Sequence, residues 1–348
     1  MTKSKTLSGH RNAVENKQII KAWSDDLRYV TPDTVGECLN KYWDKDAVLH
    51  GFQPIGDLTG TTPLCDELYR PYLRAFPNAK KHLHFLLAGT DNGKEWVVVG
   101  GNLVGNFMEP WLGIPPTKLS TWVRFVELYE MQDGKIIRAH LLYDLLSLLN
   151  QAGFRFFNAL APEIIIPGPI PNNGVIMGQS DPADATTSLV LEENWREIGL
   201  RQLQKLEKMI TPNKPALAIV NEYFQKDMMW YGPDSMGSTK GVQNYLSRKE
   251  LPWQLSMHET EFKKPSVRIA ENDYVMTFGG TNVVHNGAEL FGLPASGKHI
   301  LASSCHIYRR EGDRFAEDFC LMDMTGFFQQ LGIDVLKRVR EHRFFQRV

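Results

Sequence analysis

Two hairpin patterns carry the side chains of this sequence that could move a proton. The first, "VELYEMQDGKIIRAHLLYD", folds back at Asp133-Gly134, a pair suited to a two-residue turn. Simple pairing away from that turn sets Glu127 opposite His140, Tyr129 opposite Arg138 and Val123 opposite Asp144. A carboxylate across from an imidazole raises its pKa and orients the ring, which is what a general-base pair needs. The alternative is an ordinary ion pair on a wet or interdomain surface. The other face then carries Trp122, Arg124 and Tyr143, with Arg124 across from Tyr143. These three are the expected substrate-binding lining of this half, and a buried guanidinium there must bond a neighbour or an anionic ligand group.

The second hairpin reads "CHIYRREGDRFAEDFCLMD". The same pairing sets Cys305 opposite Cys320 and His306 opposite Phe319, and puts Asp318 on a face with Ser303, Cys305, Ile307, Cys320 and Met322. A carboxylate among apolar neighbours should have a raised pKa, as an acid/base catalyst requires. A register different by one residue would set His306 directly opposite Asp318 as a dyad. Glu317 is the rival carboxylate, and the alternative for Asp318 is a surface acid beside a charged turn. The two cysteines read as packed thiols rather than a disulfide.

Asp144 and Asp323 each precede a short helical pattern at the same spacing and read as N-caps. His82 and His84 share one strand face, but no third ligand stands at a fixed local spacing, so no metal site is assigned. There is no phosphate-binding glycine loop and no nucleophile elbow. Net charge is −1 over 348 residues, with Lys and Arg scattered, so neither a nucleic-acid partner nor a membrane partner is expected. The basic tail "LKRVREHRFFQRV" reads as a solvated helix face. No apolar run approaches the roughly 20 residues of a membrane helix, and the start lacks a secretory apolar core. Four cysteines without a CxxC fit a cytoplasmic protein with reduced thiols.

The elements that must hold these residues occur twice. One constant shift lays Gly100 on Gly279, Gly113 on Gly292, Tyr129 on Tyr308, and the trio Asp144, Gln151 and Gly153 on Asp323, Gln330 and Gly332. Farther upstream "YWDKDAVLHG" faces "YFQKDMMWYG" after a small drift. A repeat this long is a duplicated domain, not a solenoid unit. The expected layout is domain 1 at 10–158, a Pro/Gly-rich linker at 159–188, domain 2 at 189–334 and the tail at 335–348. Each copy reads as helices first (13–29, 33–42 and 64–76; then 190–210, 214–224 and 239–250). Four strand patterns follow (80–90, 95–108, 119–131 and 135–144; then 256–269, 273–286, 298–310 and 314–323). A short helix at 145–152 closes the first copy. That order is α+β, and the glycine-broken strands predict a strongly bent antiparallel sheet.

The stretch "GNLVGNFMEPWLGIPPTKLS", joined to the first hairpin and its Asp–Gln–Gly ending, resembles the SnoaL-like polyketide cyclase family. "LFGLPASGKH" with the second hairpin is a weaker match to the same pattern. The resemblance implies a cone-shaped fold of the nuclear transport factor 2 type around a deep pocket, and cofactor-free chemistry. In the family the acid/base Asp lies on the last strand, which Asp318 resembles and which "IRAHLL" of the first copy lacks. Two functions are therefore expected. One is a cofactor-independent cyclase, isomerase or hydratase acting on a small, largely apolar carbonyl compound. The other is a non-catalytic small-molecule-binding pseudo-dimer. In both, the two sheets pair internally about a pseudo-twofold axis.

Overall fold

The computed structural model describes residues 2–157, 159–161, 174–178, 180–206, 213–261 and 264–345. Residues 162–173 and 179 of the expected linker, 207–210 of an expected helix, 262–263 of an expected strand and 346–348 of the tail lie outside them.

In the first half, α1 (Thr2–Asp26) leads to α2 (Val35–Tyr42), which buries Val35, Cys38, Leu39 and Tyr42 at helical spacing. Helix α3 is composite: Thr61–Pro63, a π-helical stretch Leu64–Tyr69, then Arg70–Ala75. The closing helix is α4 (Leu145–Gln151). The second half repeats the plan. Its first helix, α5, is Pro182–Asn194 continued through a π-helical Trp195–Gly199 and Leu200–Lys205. Then come α6 (Lys214–Tyr223) and α7, which is Val242–Tyr245, a π-helical Leu246–Glu250 and Leu251–Ser256. The last helices are α8 (Met324–Gln330) and α9 (Val335–Phe345).

The first sheet holds β1 (Trp43–His50), β2 (Asp57–Thr59), β3 (Lys80–Asp91), β4 (Lys94–Asn106), β5 (Ser120–Gln132) and β6 (Lys135–Tyr143), in the order β2-β1-β6-β5-β4-β3. The second holds β7 (Phe224–Tyr231), β8 (Ser238–Lys240), β10 (Val267–Glu271), β11 (Tyr274–His285), β12 (His299–Glu311) and β13 (Arg314–Met322), in the order β10-β11-β12-β13-β7-β8, with β9 (Met257–Glu261) also on β11. Each is an α+β domain. The sheets are mixed rather than purely antiparallel, because β1 runs parallel to β6 and β7 parallel to β13. Strands β1, β2, β7 and β8 are absent from the sequence-based layout. The first half of "WDKDAVLH" is polar and partly exposed, so it lacks the alternation that signals a strand. The expected strand at 256–269 is two pieces, β9 and β10. Bending is built in at Gly101, where a Cβ would collide with the His82 carbonyl beside a break in the β3–β4 register.

Both hairpins contain a β-bulge at the same place. Near the turn Met131 pairs with Ile136, but beyond it Glu130 pairs with Arg138, leaving Ile137 extra. In the second hairpin Arg310 pairs with Phe315, but Arg309 pairs with Glu317, leaving Ala316 extra. One inserted residue changes every pairing farther from the turn. This corrects the expected registers. Glu127 faces Leu141, His140 faces Leu128, and Phe125 rather than Arg124 faces Tyr143. His306 faces Cys320 and Tyr308 faces Asp318, while Cys305 faces Leu321.

The outer faces of the two sheets pack on each other. Phe85, Val98, Leu128 and Leu142 meet Tyr274, Ile307, Phe319 and Leu321 in one buried apolar layer, and the Phe85 and Phe319 rings lie 5.1 Å apart. The joint is reciprocal. Asp144 accepts from the Asp234 backbone N–H at 2.9 Å, and its counterpart Asp323 accepts from the Gln53 N–H at 3.1 Å. A contact that recurs in both directions is the mark of an isologous, twofold-type interface, here within one chain. Helix α1 adds a buried ion pair across the joint, Lys17 Nζ to Glu271 Oε1 at 2.5 Å. Among the described residues no helix is long and apolar enough to cross a membrane.

Candidate functional site

The Asp–Gln–Gly ending that the two copies share is structural. Asp144 and Asp323 cap α4 and α8 by accepting from Ser147 N and Gly326 N, as expected of N-caps. Gln151 then clasps the Trp122 backbone, accepting from its N–H at 3.0 Å and donating to its carbonyl at 2.7 Å. Gln330 does the same to Leu301 at 2.8 and 3.2 Å. Gly153 and Gly332 both sit at φ 88°, ending each helix in a left-handed residue.

Inside the first cone, Glu127 is fully buried and all its strong donors are in place. Lys81 Nζ lies 2.7 and 2.6 Å from its two oxygens, and the Tyr129 and Tyr143 hydroxyls each donate at 2.6 Å. Burial first, and Glu127 second, push both phenols well above the ordinary tyrosine pKa. Aromatic rings meet around this cluster: Phe52 stacks on Tyr143 at 4.9 Å, and Trp111 and Trp43 approach Tyr143 and Tyr129.

The structure thus separates the first-copy candidates. His140 lies on the outer face, stacked 4.8 Å from His50, with the ring of Phe278 of the other half tilted against it at 4.7 Å. Burial, then His50, depress its pKa to about 4, so it is neutral at physiological pH. Arg124 also faces out. It donates to Asp144 Oδ2 at 2.9 Å and to the Gly232 carbonyl of the second half. Trp122 shares that outer face, and only Tyr143 of the expected lining points inward. His84 is buried, and that burial, followed by His82, lowers its pKa to about 4. Among the described residues no group of three His, Cys, Asp or Glu side chains is placed to hold a metal ion.

The second cone is different. A cavity of about 190 Å³ is lined by Trp195, Trp253, Phe278 and Met322, with His306, Tyr308, Cys320, Lys249 and Glu250 as its polar or reactive members. The bulge brings His306, Tyr308, Asp318 and Cys320 onto one inward face. Asp318 is fully buried behind His306, and its oxygens lie 3.0 and 3.2 Å from Nδ1. The other ring nitrogen, Nε2, is 3.7 Å from Cys320 Sγ. Tyr308 stacks on the imidazole at 5.5 Å and 9°. The His306 side chain keeps 21% of its surface, whereas that of Asp318 keeps none. Burial alone would lower the His306 pKa. Cys320 and then Asp318 override it and hold the ring well above the usual histidine value.

Sequence reasoning missed Lys249 and Glu250. They are adjacent in sequence, and a regular helix turns adjacent residues to different faces. The π-helical stretch Leu246–Glu250 brings both to the cavity wall. There they form an ion pair, and Tyr245 OH donates to Glu250 Oε1 at 2.7 Å. Burial works against both charges, yet the pairing leaves the Lys249 pKa raised and the Glu250 pKa lowered. Glu317, the rival of Asp318, lies on the outer face, bonded to Arg309 and to Tyr231 OH. The equivalent pair in the first half has its charges reversed: Glu130 bonds Arg138.

Two stretches of the chain, 33–152 and 203–331, match the profile of the SnoaL-like polyketide cyclases. Among solved structures, IdmH from Streptomyces antibioticus, a candidate polyketide cyclase, is 17% identical. That match covers 40% of this chain and 99% of IdmH, with a TM-score of 0.34. A candidate SnoaL-like polyketide cyclase from Jannaschia sp. CCS1 is 16% identical over 41% of this chain and 94% of its own, with a TM-score of 0.34. AclR from Streptomyces galilaeus, a candidate hydroxylase, is 17% identical over 39% and 89%, with a TM-score of 0.29. No curated protein matches the chain. The family pattern is met once in each half, and the chain belongs to the SnoaL-like polyketide cyclase family as a tandem pair of its domains.

Proposed function

We propose that the second domain is a cofactor-independent acid/base catalyst acting on a small, largely apolar carbonyl compound. The first domain is its structural partner. The observation that carries this reading is the His306–Asp318 pair at the wall of an aromatic-lined cavity. With its pKa held high, His306 rests as the imidazolium and donates from Nε2 to the carbonyl oxygen. That donation acidifies the carbon beside the carbonyl, whose proton leaves to water as the enol forms, and so opens the way to aldol closure, isomerisation or hydration. Asp318 keeps the Nδ1 proton in place and balances the charge, the role a buried carboxylate plays behind any catalytic imidazole. In the first domain the positions of His306, Asp318 and Cys320 are taken by Glu127, Ala139 and Leu141, and Glu127 is already clamped by Lys81.

The test is exchange of α-hydrogens in deuterated water, followed by NMR over a panel of small aliphatic and monocyclic ketones. Wild-type protein should exchange at least one of them, and His306→Gln should slow it by roughly a hundredfold. Tight binding of a ketone with no exchange by the wild type would replace this reading with that of a binding protein.

A further inference from the structure

One thiol stands apart from the other three. Cys38 and Cys65 sit among the helices of the first half, and Cys305 is sealed between the sheets beside Ile307 and Phe319. Cys320 alone lines the cavity, with the His306 ring between it and Asp318. We infer that Cys320, His306 and Asp318 form a Cys–His–Asp relay in which Cys320 Sγ is a nucleophile toward α,β-unsaturated carbonyl compounds entering the second domain.

The order of the three groups is what an activated thiol needs: nucleophile, base within reach, and a carboxylate that orients the base. Sγ is 3.7 Å from Nε2, and Nδ1 is 3.0 Å from Asp318 Oδ1. The raised His306 pKa, which prevails over burial, fits a ring flanked by two groups able to carry negative charge. The step balances without any outside reagent. In the resting relay Cys320 has already given its proton to Nε2, so a thiolate stands beside the imidazolium, and a sulfur electron pair forms the S–C bond at the β-carbon. The C=C pair moves to give the enolate, and Nε2 returns its proton to the α-carbon. The product is a saturated thioether, and reversal releases the enone. This rests on the second domain being the active one and narrows its carbonyl compound to a conjugated one. A cavity of about 190 Å³ matches a single ring or short chain; an engineered cavity of about 150 Å³ holds benzene.

The experiment is peptide-resolved mass spectrometry of the full chain after timed exposure to methyl vinyl ketone near neutral pH. Cys320 should be labelled roughly tenfold or more faster than Cys305, and His306→Gln should remove most of that advantage while Cys38 and Cys65 are unchanged. Labelling of Cys320 no faster than Cys305 in the wild type, or at an unchanged rate in His306→Gln, would overturn the relay. Labelling of Cys305 reports opening of the sheet joint. If His306→Gln opens it, Asp318→Asn is judged by the same comparison, and the wild-type selectivity stands as its own test. The ketone assay above and this labelling, both read on the wild type, separate the two ideas. Retained α-exchange with no selective labelling sinks the relay alone, and selective labelling with no exchange sinks the acid/base reading alone.

Discussion

Asp318 presents both carboxylate oxygens to Nδ1 of His306, at 3.0 and 3.2 Å, from a side chain with no surface of its own. The pair is diagonal, since His306 lies opposite Cys320 and Asp318 opposite Tyr308. A diagonal pair of this kind exists only because the bulge at Ala316 moves the register by one.

This contact makes stability pH-dependent in a definite direction. The folded-state pKa of His306 is raised, so its contribution is complete below the ordinary histidine value of about 6.5 and is lost as pH rises through the folded value. Thermal melts of wild type and His306→Gln across the neutral and alkaline range should therefore converge as pH increases. A gap that widens with pH would contradict the assignment.

His84 and His140 act with the opposite sign. His84 is buried and His140 half-buried, and both are depressed to about 4, so their contribution is present above about pH 6.5 and is lost as pH falls toward the folded value. A His140→Phe variant should lose less stability than wild type on acidification, as read by the melting temperature. Equal acid sensitivity in the two proteins would show that His140 is not held neutral by its contacts with Phe278 and His50.

Glu127 is a structural ion in a closed cluster. Glu127→Gln leaves the Lys81 ammonium buried without its counter-charge, and breaking a buried pair on one side costs about 3–5 kcal/mol. Denaturant unfolding should show a loss of that order. The protein that remains folded should label Cys320 at the wild-type rate. A near-neutral effect on stability would mean that Lys81 reaches solvent.

The reciprocal joint makes a paired prediction. Asp144→Ala removes a helix cap, the Asp234 contact and the Arg124 bond. Asp323→Ala removes a cap, the Gln53 contact and the Thr325 bond. Each should cost about 2–4 kcal/mol, summing a cap with hydrogen bonds to a charged group. Equilibrium unfolding should place the two variants close together. A large cost at one site and none at the other would break the twofold account of the joint.

The duplication was legible because one constant shift lays Gly100–Gly153 on Gly279–Gly332 without a gap. The main helices and the long strands of each half were legible from hydrophobic period, and the caps from Asp144 and Asp323, but not the two strands of each half that fall between the helices. The register was not. A bulge residue such as Ile137 or Ala316 looks like any other strand residue, yet it decides which face every later side chain takes. That single feature split Glu127 from His140 and joined His306 to Asp318. The cavity wall at Lys249 and Glu250 was hidden by a π-helical stretch, which the 3.6-residue period does not describe. Arg124 was readable as a buried cation in need of partners, but its partner at Gly232 belongs to the other domain and leaves no local pattern.

The proposed catalysis comes from one dyad in one domain, and α-hydrogen exchange in a shared ketone substrate tests it most directly. Wild type, Asp318→Asn and His140→Gln would be compared at equal concentration, with folding checked by circular dichroism. Asp318→Asn should lose roughly a hundredfold in rate, while His140→Gln, on the outer face of the first sheet, should keep the wild-type rate. Full exchange by Asp318→Asn, or loss only in His140→Gln, would contradict it.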